Sequence, residues 1–493
     1  MRYVIGIDLG TSGLKSIVVS ENGEVVQEDH VRYETFHDKT GYSEMHPETW
    51  YEATVESLKR LLTGEFGGDV RGISFSGQMH GLVLIDGAGE VIRPAILWND
   101  TRTSEECREI IKSIGQEPLL DQVQNTVLEG FTLSKLMWVK KNEPENFGRI
   151  HKFMMPKDYV IYRLTGSVRT EPSDAAGTVM FDVKEGEWSL PLLNQLRIDE
   201  SICPEVIPSH GESGILKREI FETDQDVTIY QGGADNACGA LGAGITDASK
   251  QLVSIGTSGV FLSSEEKDDY RNDGSVHYFN HCVSGQNYVM GVTLSAGYSL
   301  EWLKKLLGDA RSFSEFMKEA EYSPLGSGGL LYTPFLLGER TPYNDADVRG
   351  SFIGLDANTD TADMKRAVIE GITFSLNESI EIMRKNGKDI SRVVSIGGGA
   401  KNSQWLQIQA DVFDAEVMTR TEEQGPAYGA AMIAAVGEEW IEDFSEVSEA
   451  WIEYGKTFTP IRENTEQYKT LFKLYRKVYE NTQELTGSLL EFK

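Results

Sequence analysis

The tetrapeptide Gly-Thr-Ser-Gly occurs twice, at residues 10–13 and 256–259, each time between two apolar runs of strand character. The first copy joins YVIGID (3–8) to LKSIVVS (14–20); the second joins QLVSI (251–255) to VFLS (260–263). Runs rich in Val and Ile and broken by glycine predict strand, tight turn, strand. The copies lie 246 residues apart in a chain of 493, so each half opens in the same way. A second echo follows in the same order, GISFSG at 72–77 and VVSIGG at 393–398, both apolar strands ending in glycine. Two repeats in matching order predict two similar α/β halves. The boundary is expected near 239–251, where small residues dominate, which gives domains 1–245 and 246–493.

Helical periodicity fills the intervals, as an α/β architecture requires. Pro47 opens one helix that carries Trp50, Val55, Leu58 and Leu62. Another follows Asn402 and Ser403, with Trp405, Ile408, Val412 and Phe413 on one face. A third is expected over 465–484, with a stripe of Tyr468, Leu471, Phe472, Tyr475 and Val478. These stripes read as core.

Charge and cysteine content narrow the partners. Against 77 Asp and Glu the chain has 47 Lys and Arg, a net charge of −30, whereas a nucleic-acid or anionic-membrane surface needs clustered cations. Neither partner is expected. Any phosphate bound here must be held locally, by backbone N–H groups, a helix terminus or a cation. Four cysteines, at 107, 203, 238 and 282, form no CxxC pair, so neither a disulfide framework nor a zinc cluster is expected and a reducing cytoplasm fits. Asp8 interrupts the apolar N-terminus, and no stretch approaches 18 apolar residues. Neither a signal peptide nor a membrane span is therefore expected.

Several motifs carry chemistry, and two do not. The GKT at 455–457 lacks the leading glycine of a phosphate-binding P-loop. His277, His281 and Cys282 lie in a run read as a strand, where four residues span about 13 Å, too far to share one metal. Asp8, at the end of its strand, precedes a turn whose backbone and hydroxyls (Thr11, Ser12), with Lys15 beyond, can wrap a phosphate while the carboxylate holds Mg²⁺ through water. The second turn, Gly256, Thr257 and Ser258, offers another phosphate grip from the other half. In VTIYQGGADNA, Asp235 stands where an α/β strand opens into a ligand crevice; it is either a general base or a helix cap. In SGQMHG, Gln78 and His80 can bond sugar hydroxyls beside the apolar Met79, or His80 is structural. The glycines of GGGAKNS (397–403) leave flat space for a purine at a helix start.

Taken together, DLGTSGLK, SGQMHG, ILWNDTR, KDYVIYRLTG, SDAAGT, GGADNA, SIGTSGV, GERTP and GGGAKNSQW resemble the FGGY carbohydrate kinases. Two further stretches, GFTLSKLMWVKKN and the run from Gly350 through Gly354 and Leu355 to Glu370, resemble that family's signatures, and the likeness spans residues 3 to 435. It implies an α/β fold of two actin-like or hexokinase-like (ribonuclease H-like) domains with a catalytic cleft between them, sugar held mainly by the first and ATP by the second. Asp235 then matches the catalytic base, and Asp8 the carboxylate for metal and phosphates, both beside Mg²⁺. Met79, His80 and Asn236, with Gln78, Trp98 and Asp100, fall on the sugar side. Gly256, Thr257, Gly297, Gly398, Gly399 and Asn402 match nucleotide contacts. Thr101 and Ala234 depart from the family, each standing where glycine is common. The implied reaction is phosphorylation of D-xylulose by ATP to D-xylulose 5-phosphate, by a cytoplasmic enzyme for which a homodimer is one expected assembly. Rival readings are a kinase for another ketose, a polyol or gluconate, and a non-catalytic sugar-binding or regulatory protein on the same fold.

Overall fold

A computed structural model describes residues 1–36, 39–221, 226–266 and 272–492. Thirteen strands make its two large sheets. In the first half these are β1 (Tyr3–Leu9), β2 (Gly13–Ser20), β3 (Val25–Arg32), β4 (Val70–Gly77), β5 (Glu212–Ile215) and β6 (Thr228–Ala234). In the second they are β7 (Gln251–Ile255), β8 (Gly259–Glu266), β9 (His277–Asn280), β10 (Gln286–Thr293), β11 (Arg392–Gly397), β12 (Glu416–Arg420) and β13 (Tyr454–Phe458). The helices used below are α1 (Pro47–Leu62), α2 (Pro156–Thr165), α3 (Asp235–Gly242), α4 (Gly297–Leu306), α5 (Thr361–Lys385), α6 (Ser403–Phe413), α7 (Pro426–Gly437) and α8 (Arg462–Ser488).

The sheets repeat one plan. The first runs β3-β2-β1-β4-β6-β5 and the second β10-β8-β7-β11-β12-β13, with β9 added at its edge. In both, the senses across the sheet are antiparallel, antiparallel, parallel, parallel, antiparallel. Both sequence echoes therefore fall on matching strands: the hairpins are β1-β2 and β7-β8, and the glycine-ended runs are β4 and β11. The hairpins differ in register. Leu9 pairs with Leu14 across the first turn, whereas Ile255 pairs with Gly259 across the second, a slip of one residue.

Alternation along β1 places the core. Tyr3, Ile5, Ile7 and Leu9 pack with α1 and α2 through Trp50, Leu58, Leu61 and Tyr159. The opposite face, with Val4 and Gly6, receives α7, a helix from the second half of the sequence. A β-carbon on Gly6 would lie 1.9 Å from the Ala427 carbonyl oxygen, so only glycine admits the helix there. In turn α7 packs against α3, where a β-carbon on Gly429 would meet the Cys238 carbonyl at 1.9 Å. Small residues thus let two helices, one from each half of the chain, cross backbone to backbone, with Asp235 at the start of one of them. The expected helices at 47, 403 and 465 are all present; α8 begins slightly earlier and buries Tyr468, Phe472, Tyr475 and Val478. Of the run read as a strand, His277–Asn280 form β9, whereas His281 and Cys282 lie beyond its end, where His281 Nδ1 comes within 3.4 Å of Cys282 Sγ, so the extended spacing does not hold past Asn280.

Candidate functional site

Three parallel strands of the first sheet end together. The register aligns Asp8 with Ser76, Ser76 with Gly233, and Gly77 with Ala234, so Asp8 and Asp235 emerge on either side of β4 at the carboxyl edge of the sheet. That edge is where open α/β sheets bind ligands. The alignment needs a kink at Gly232, whose φ is +78° and whose β-carbon would fall 1.8 Å from the Phe75 carbonyl oxygen. Beyond it, the Ala234 N–H donates to Ser173 Oγ (2.9 Å), and Ser173 donates in turn to Glu171 (2.8 Å). Beneath lies a buried cluster in which Lys157 Nζ is 2.8 Å from Asp158, 3.1 Å from Asp174 and 3.6 Å from Glu171. The KDYVIYRLTG and SDAAGT motifs therefore brace the strand end that presents Asp235.

Asp235 is the first residue of α3, and Ala234 occupies the cap position, so the helix-cap alternative does not describe it. Among the described residues its Oδ1 accepts only from the adjacent Asn236 N–H (2.7 Å) and, at 3.3 Å, from Asn236 Nδ2. Burial, reinforced by the charge of Asp8, pushes its carboxyl up to about 7. Asp8 accepts from Ser76 Oγ (3.1 Å), and burial pushes its carboxyl up to about 6 against the opposing pull of that bond and of Lys15. Among the described residues neither carboxylate has an ion-pair partner. Two desolvated carboxylates with no cation between them suit a divalent ion carried in with phosphates, and no cluster of three or more metal-ligating side chains occurs among the described residues.

In front of Asp235 is a cavity of about 220 Å³. Met79, His80, Trp98, Phe131, Asp235 and Asn236 line it from the first half, with Leu128 and Gly130; Ser258, Val260, Met290, Val292 and Arg340 line it from the second. His80 has φ +68°, and its carbonyl is held by Lys135 Nζ (2.9 Å) and Thr132 Oγ1 (3.0 Å). Its Nδ1 lies 2.7 Å from the Gly177 carbonyl, which can only accept, so Nδ1 carries the proton and Nε2 keeps a lone pair. Burial, with Lys135 and Arg340 nearby, pulls its imidazole down to about 3 against that bond, which keeps the ring neutral. Met79 forms an apolar wall, its sulfur 3.5 Å from Asn236 Nδ2.

Five of the expected sugar-side and catalytic residues, Met79, His80, Trp98, Asp235 and Asn236, meet in this cavity, and Ser258 joins them. Gln78 and Asp100 do not. Gln78 is 2 % exposed: its amide donates to the Gly10 carbonyl (3.2 Å) and accepts from Thr11 Oγ1 (3.3 Å). Asp100 is 1 % exposed and accepts from Ser43 N–H (2.6 Å) and from the backbone and guanidinium of Arg102. Both turn polar atoms to neighbouring turns of the protein, and neither is among the residues that line this cavity.

On the phosphate side, Ser12, Gly256, Thr257 and Ser258 are exposed at their turns. Thr11 is held between Gln78 and Trp98, whose Nε1 donates to it (2.9 Å), and Lys15 Nζ donates to Gln424 Oε1 (2.6 Å) of the second half. Gly297 packs on the second turn, since a β-carbon there would lie 2.4 Å from the Gly256 carbonyl oxygen. Gly398 is exposed, Gly399 is buried on Ile255, and Asn402 Oδ1 caps α6 by accepting from the Trp405 N–H (2.9 Å). Among the lining residues missed from sequence are the apolar Leu128, Val260, Met290 and Val292, which carry no signal apart from core, and Gly130, Phe131 and Arg340. For the last three the signal lay in the GFTLSK and GERTP stretches, which give no hint of where the chain folds them.

Comparison with known proteins agrees with this architecture. Residues 3–242 match the FGGY family of carbohydrate kinases, N-terminal domain, and residues 252–438 match its C-terminal domain. Over 97% of this chain and 100% of the relative, the sequence is 63% identical to xylulose kinase of Staphylococcus xylosus. Among solved structures, a ligand-bound xylulose kinase from Lactobacillus acidophilus is 26% identical with a TM-score of 0.93, covering 99% of this chain and 100% of that one. A gluconate kinase from the same species is also 26% identical, with a TM-score of 0.94 over 99% of both chains. Matching both domain profiles across most of its length, this chain belongs to the FGGY family of carbohydrate kinases.

Proposed function

We propose that the protein transfers the γ-phosphoryl group of ATP to the terminal hydroxyl of D-xylulose, giving D-xylulose 5-phosphate and ADP. The observation that carries this reading is Asp235, a carboxylate with few bonds at the end of a sugar-sized cavity, poised near neutrality. Ionised, it takes the proton of the C5 hydroxyl as that oxygen bonds to the γ-phosphorus. The bond from phosphorus to the β,γ-bridging oxygen breaks, and ADP leaves with the electron pair. His80 Nε2 accepts a hydrogen bond from a sugar hydroxyl, Asn236 Nδ2 donates one, and Met79 and Phe131 pack on the carbon chain. Exposed backbone at residues 12 and 256–258 faces the phosphates, while Gly398 and Asn402 Nδ2 border the nucleotide. Asp8 and Asp235 would hold Mg²⁺ through water, and when bound with ATP that ion supplies charge neutralisation of the phosphates.

The sugar is assigned from the xylulose kinase at 63% identity and not from overall shape, since xylulose and gluconate kinases superpose on this chain equally well. No helix among the described residues is long and apolar enough to cross a membrane, in keeping with the proposed cytoplasmic location. Release of ADP measured across D-xylulose, D-ribulose, glycerol and gluconate tests the reading. D-xylulose is expected to give the highest kcat/KM, and a tenfold preference for any other member overturns it.

A further inference from the structure

Arg340 enters the sugar cavity from the second half of the chain. Both its neighbours are anchored. Glu339 is 2 % exposed and accepts from the backbone N–H groups of Leu294 (3.0 Å) and Arg340 (2.8 Å) and from Ser375 Oγ (3.1 Å). Thr341 is 1 % exposed; its N–H donates to the Val292 carbonyl (3.1 Å), and its Oγ1 accepts from the Val292 N–H (3.0 Å). Held on both sides against the end of β10, the backbone offers Arg340 to the cavity on a rigid mount. Among the described residues, its guanidinium has no hydrogen bond and no ion pair. The charges of Glu129 and Glu339 offset part of the cost of burying it, but its donors remain unbonded, and a guanidinium has five donors and no acceptor, so its complement is an oxygen that accepts.

Position along the cavity limits which oxygen that is. The charge of Arg340 is felt, after burial, by His80 and His277. Asp235 responds instead to burial and to Asp8. Phe131, which lines the cavity with Arg340, packs edge-on against both histidines, its ring 4.6 Å from that of His80 and 5.6 Å from that of His277. Together with the reach of the Arg340 charge, this places the guanidinium on the histidine side of the cavity. We propose that Arg340 donates to the carbonyl oxygen of the open-chain ketose, at the end remote from the phosphorylated hydroxyl, and so selects ketoses over alditols of the same length. Reducing the carbonyl gives an sp³ hydroxyl that has left the plane the planar fork addresses and brings a proton of its own to a group that can only donate. The assignment rests on the reading of the protein as a pentulose kinase.

The test is kcat/KM for D-xylulose and for its two reduction products, xylitol and D-arabinitol, in the native enzyme and in Arg340→Gln and Arg340→Lys. Native enzyme is expected to favour D-xylulose by at least tenfold. Arg340→Gln is expected to lose about 10- to 150-fold on D-xylulose, the range for a hydrogen bond to a charged donor, chiefly through KM, and less than threefold on the pentitols. Arg340→Lys should recover part of the loss. Parallel losses on ketose and pentitols would overturn the assignment, as would no loss on either. If Arg340→Gln does not fold, the native enzyme still decides: pentitol turnover within tenfold of D-xylulose, or xylonate used better than D-xylulose, refutes a carbonyl-reading role. Native enzyme inactive on D-xylulose but active on another sugar would sink the substrate reading instead, a distinguishable result.

Discussion

At the scale of the residue, the decisive feature is a pair of carboxylates raised for the same physical reason. Asp235 is pushed up to about 7 and Asp8 to about 6, each first by burial, because taking a charge out of water favours the neutral acid. A general base must be ionised, so kcat/KM should rise with pH through about 7 and level off above it. Asp235→Asn keeps the shape but cannot take a proton; kcat should fall by about 10² to 10⁴ while calorimetry still detects sugar and ATP binding. The same substitution has a stability signature of opposite sign. A carboxyl whose folded-state pKa exceeds its unfolded value costs stability when ionised, and that cost is absent below the unfolded value and grows as pH rises toward the folded one. Asp235→Asn should therefore raise Tm at pH 8 by roughly 2–4 °C, discounted because the group opens onto a cavity, and hardly at all at pH 4. A folded variant with more than about a tenth of native kcat would remove Asp235 from the chemistry, since a positioned base contributes at least about 10².

Elements show which parts of this arrangement a sequence reveals and which it hides. Hairpins announce themselves locally: the glycines and hydroxyls of residues 10–13 and 256–259 sit between β-branched runs, and the strands form as read, with only the one-residue slip in register unforeseen. The place of Asp235 was legible too, because a carboxylate closely following two glycines at a strand end stands at a crevice or caps a helix, and only the structure, by putting Ala234 at the cap, decides between the two. Gln78 and Asp100 stand apart from the cavity for the converse reason. Gln78 follows its strand directly before the lining residue Met79, and Asp100 lies two positions after Trp98, yet Gln78 turns to Gly10 and Thr11 and Asp100 to Ser43, partners distant in sequence that motif adjacency does not encode. Arg340 was hidden because its mount is built from β10 and α5, far away in sequence. The brace beneath β6 was equally unreadable, and it carries its own prediction. Lys157, 0 % exposed, is the cation facing Asp158, Glu171 and Asp174. Burial pushes Asp174 well above the usual carboxylate range, further raised by Asp158 and Glu171 against the pull of Lys157. Lys157→Met strands those acids without a counter-charge and should cost about 3–5 kcal/mol in urea unfolding. Adding Asp174→Asn should restore part of it, and a Lys157→Met protein as stable as the native one would show that the cluster is not held by its lysine.

At the scale of the whole molecule, two copies of one sheet plan must act on a single pair of substrates. The first half supplies Asp8 at the end of β1 with Asp235, His80 and Asn236, and the second supplies Arg340 and the exposed turn at residues 256–258. Phosphoryl transfer demands that both sets close on one line of atoms and that water, a competing acceptor of the γ-phosphoryl group, be kept out. The halves are already tied at their base. Tyr428 Oη donates to the Gly23 carbonyl (2.7 Å), Tyr230 Oη to Glu438 (3.0 Å), and the small-residue faces of α3 and α7 cross between them. With α7 buried from Ala427 to Val436 and its backbone pressed on that of α3, this base suits a fixed pivot about which the halves turn, while the cavity between them opens and shuts. Each ligand alone bridges only part of the cleft, so closure should need both. Small-angle scattering is expected to give a smaller radius of gyration with D-xylulose and a non-hydrolysable ATP analogue together than with either alone or neither. The change should persist in Asp235→Asn, which binds but does not react. Identical profiles in all four states would mean that the halves are rigidly joined and that substrates enter a cleft already closed to its working shape.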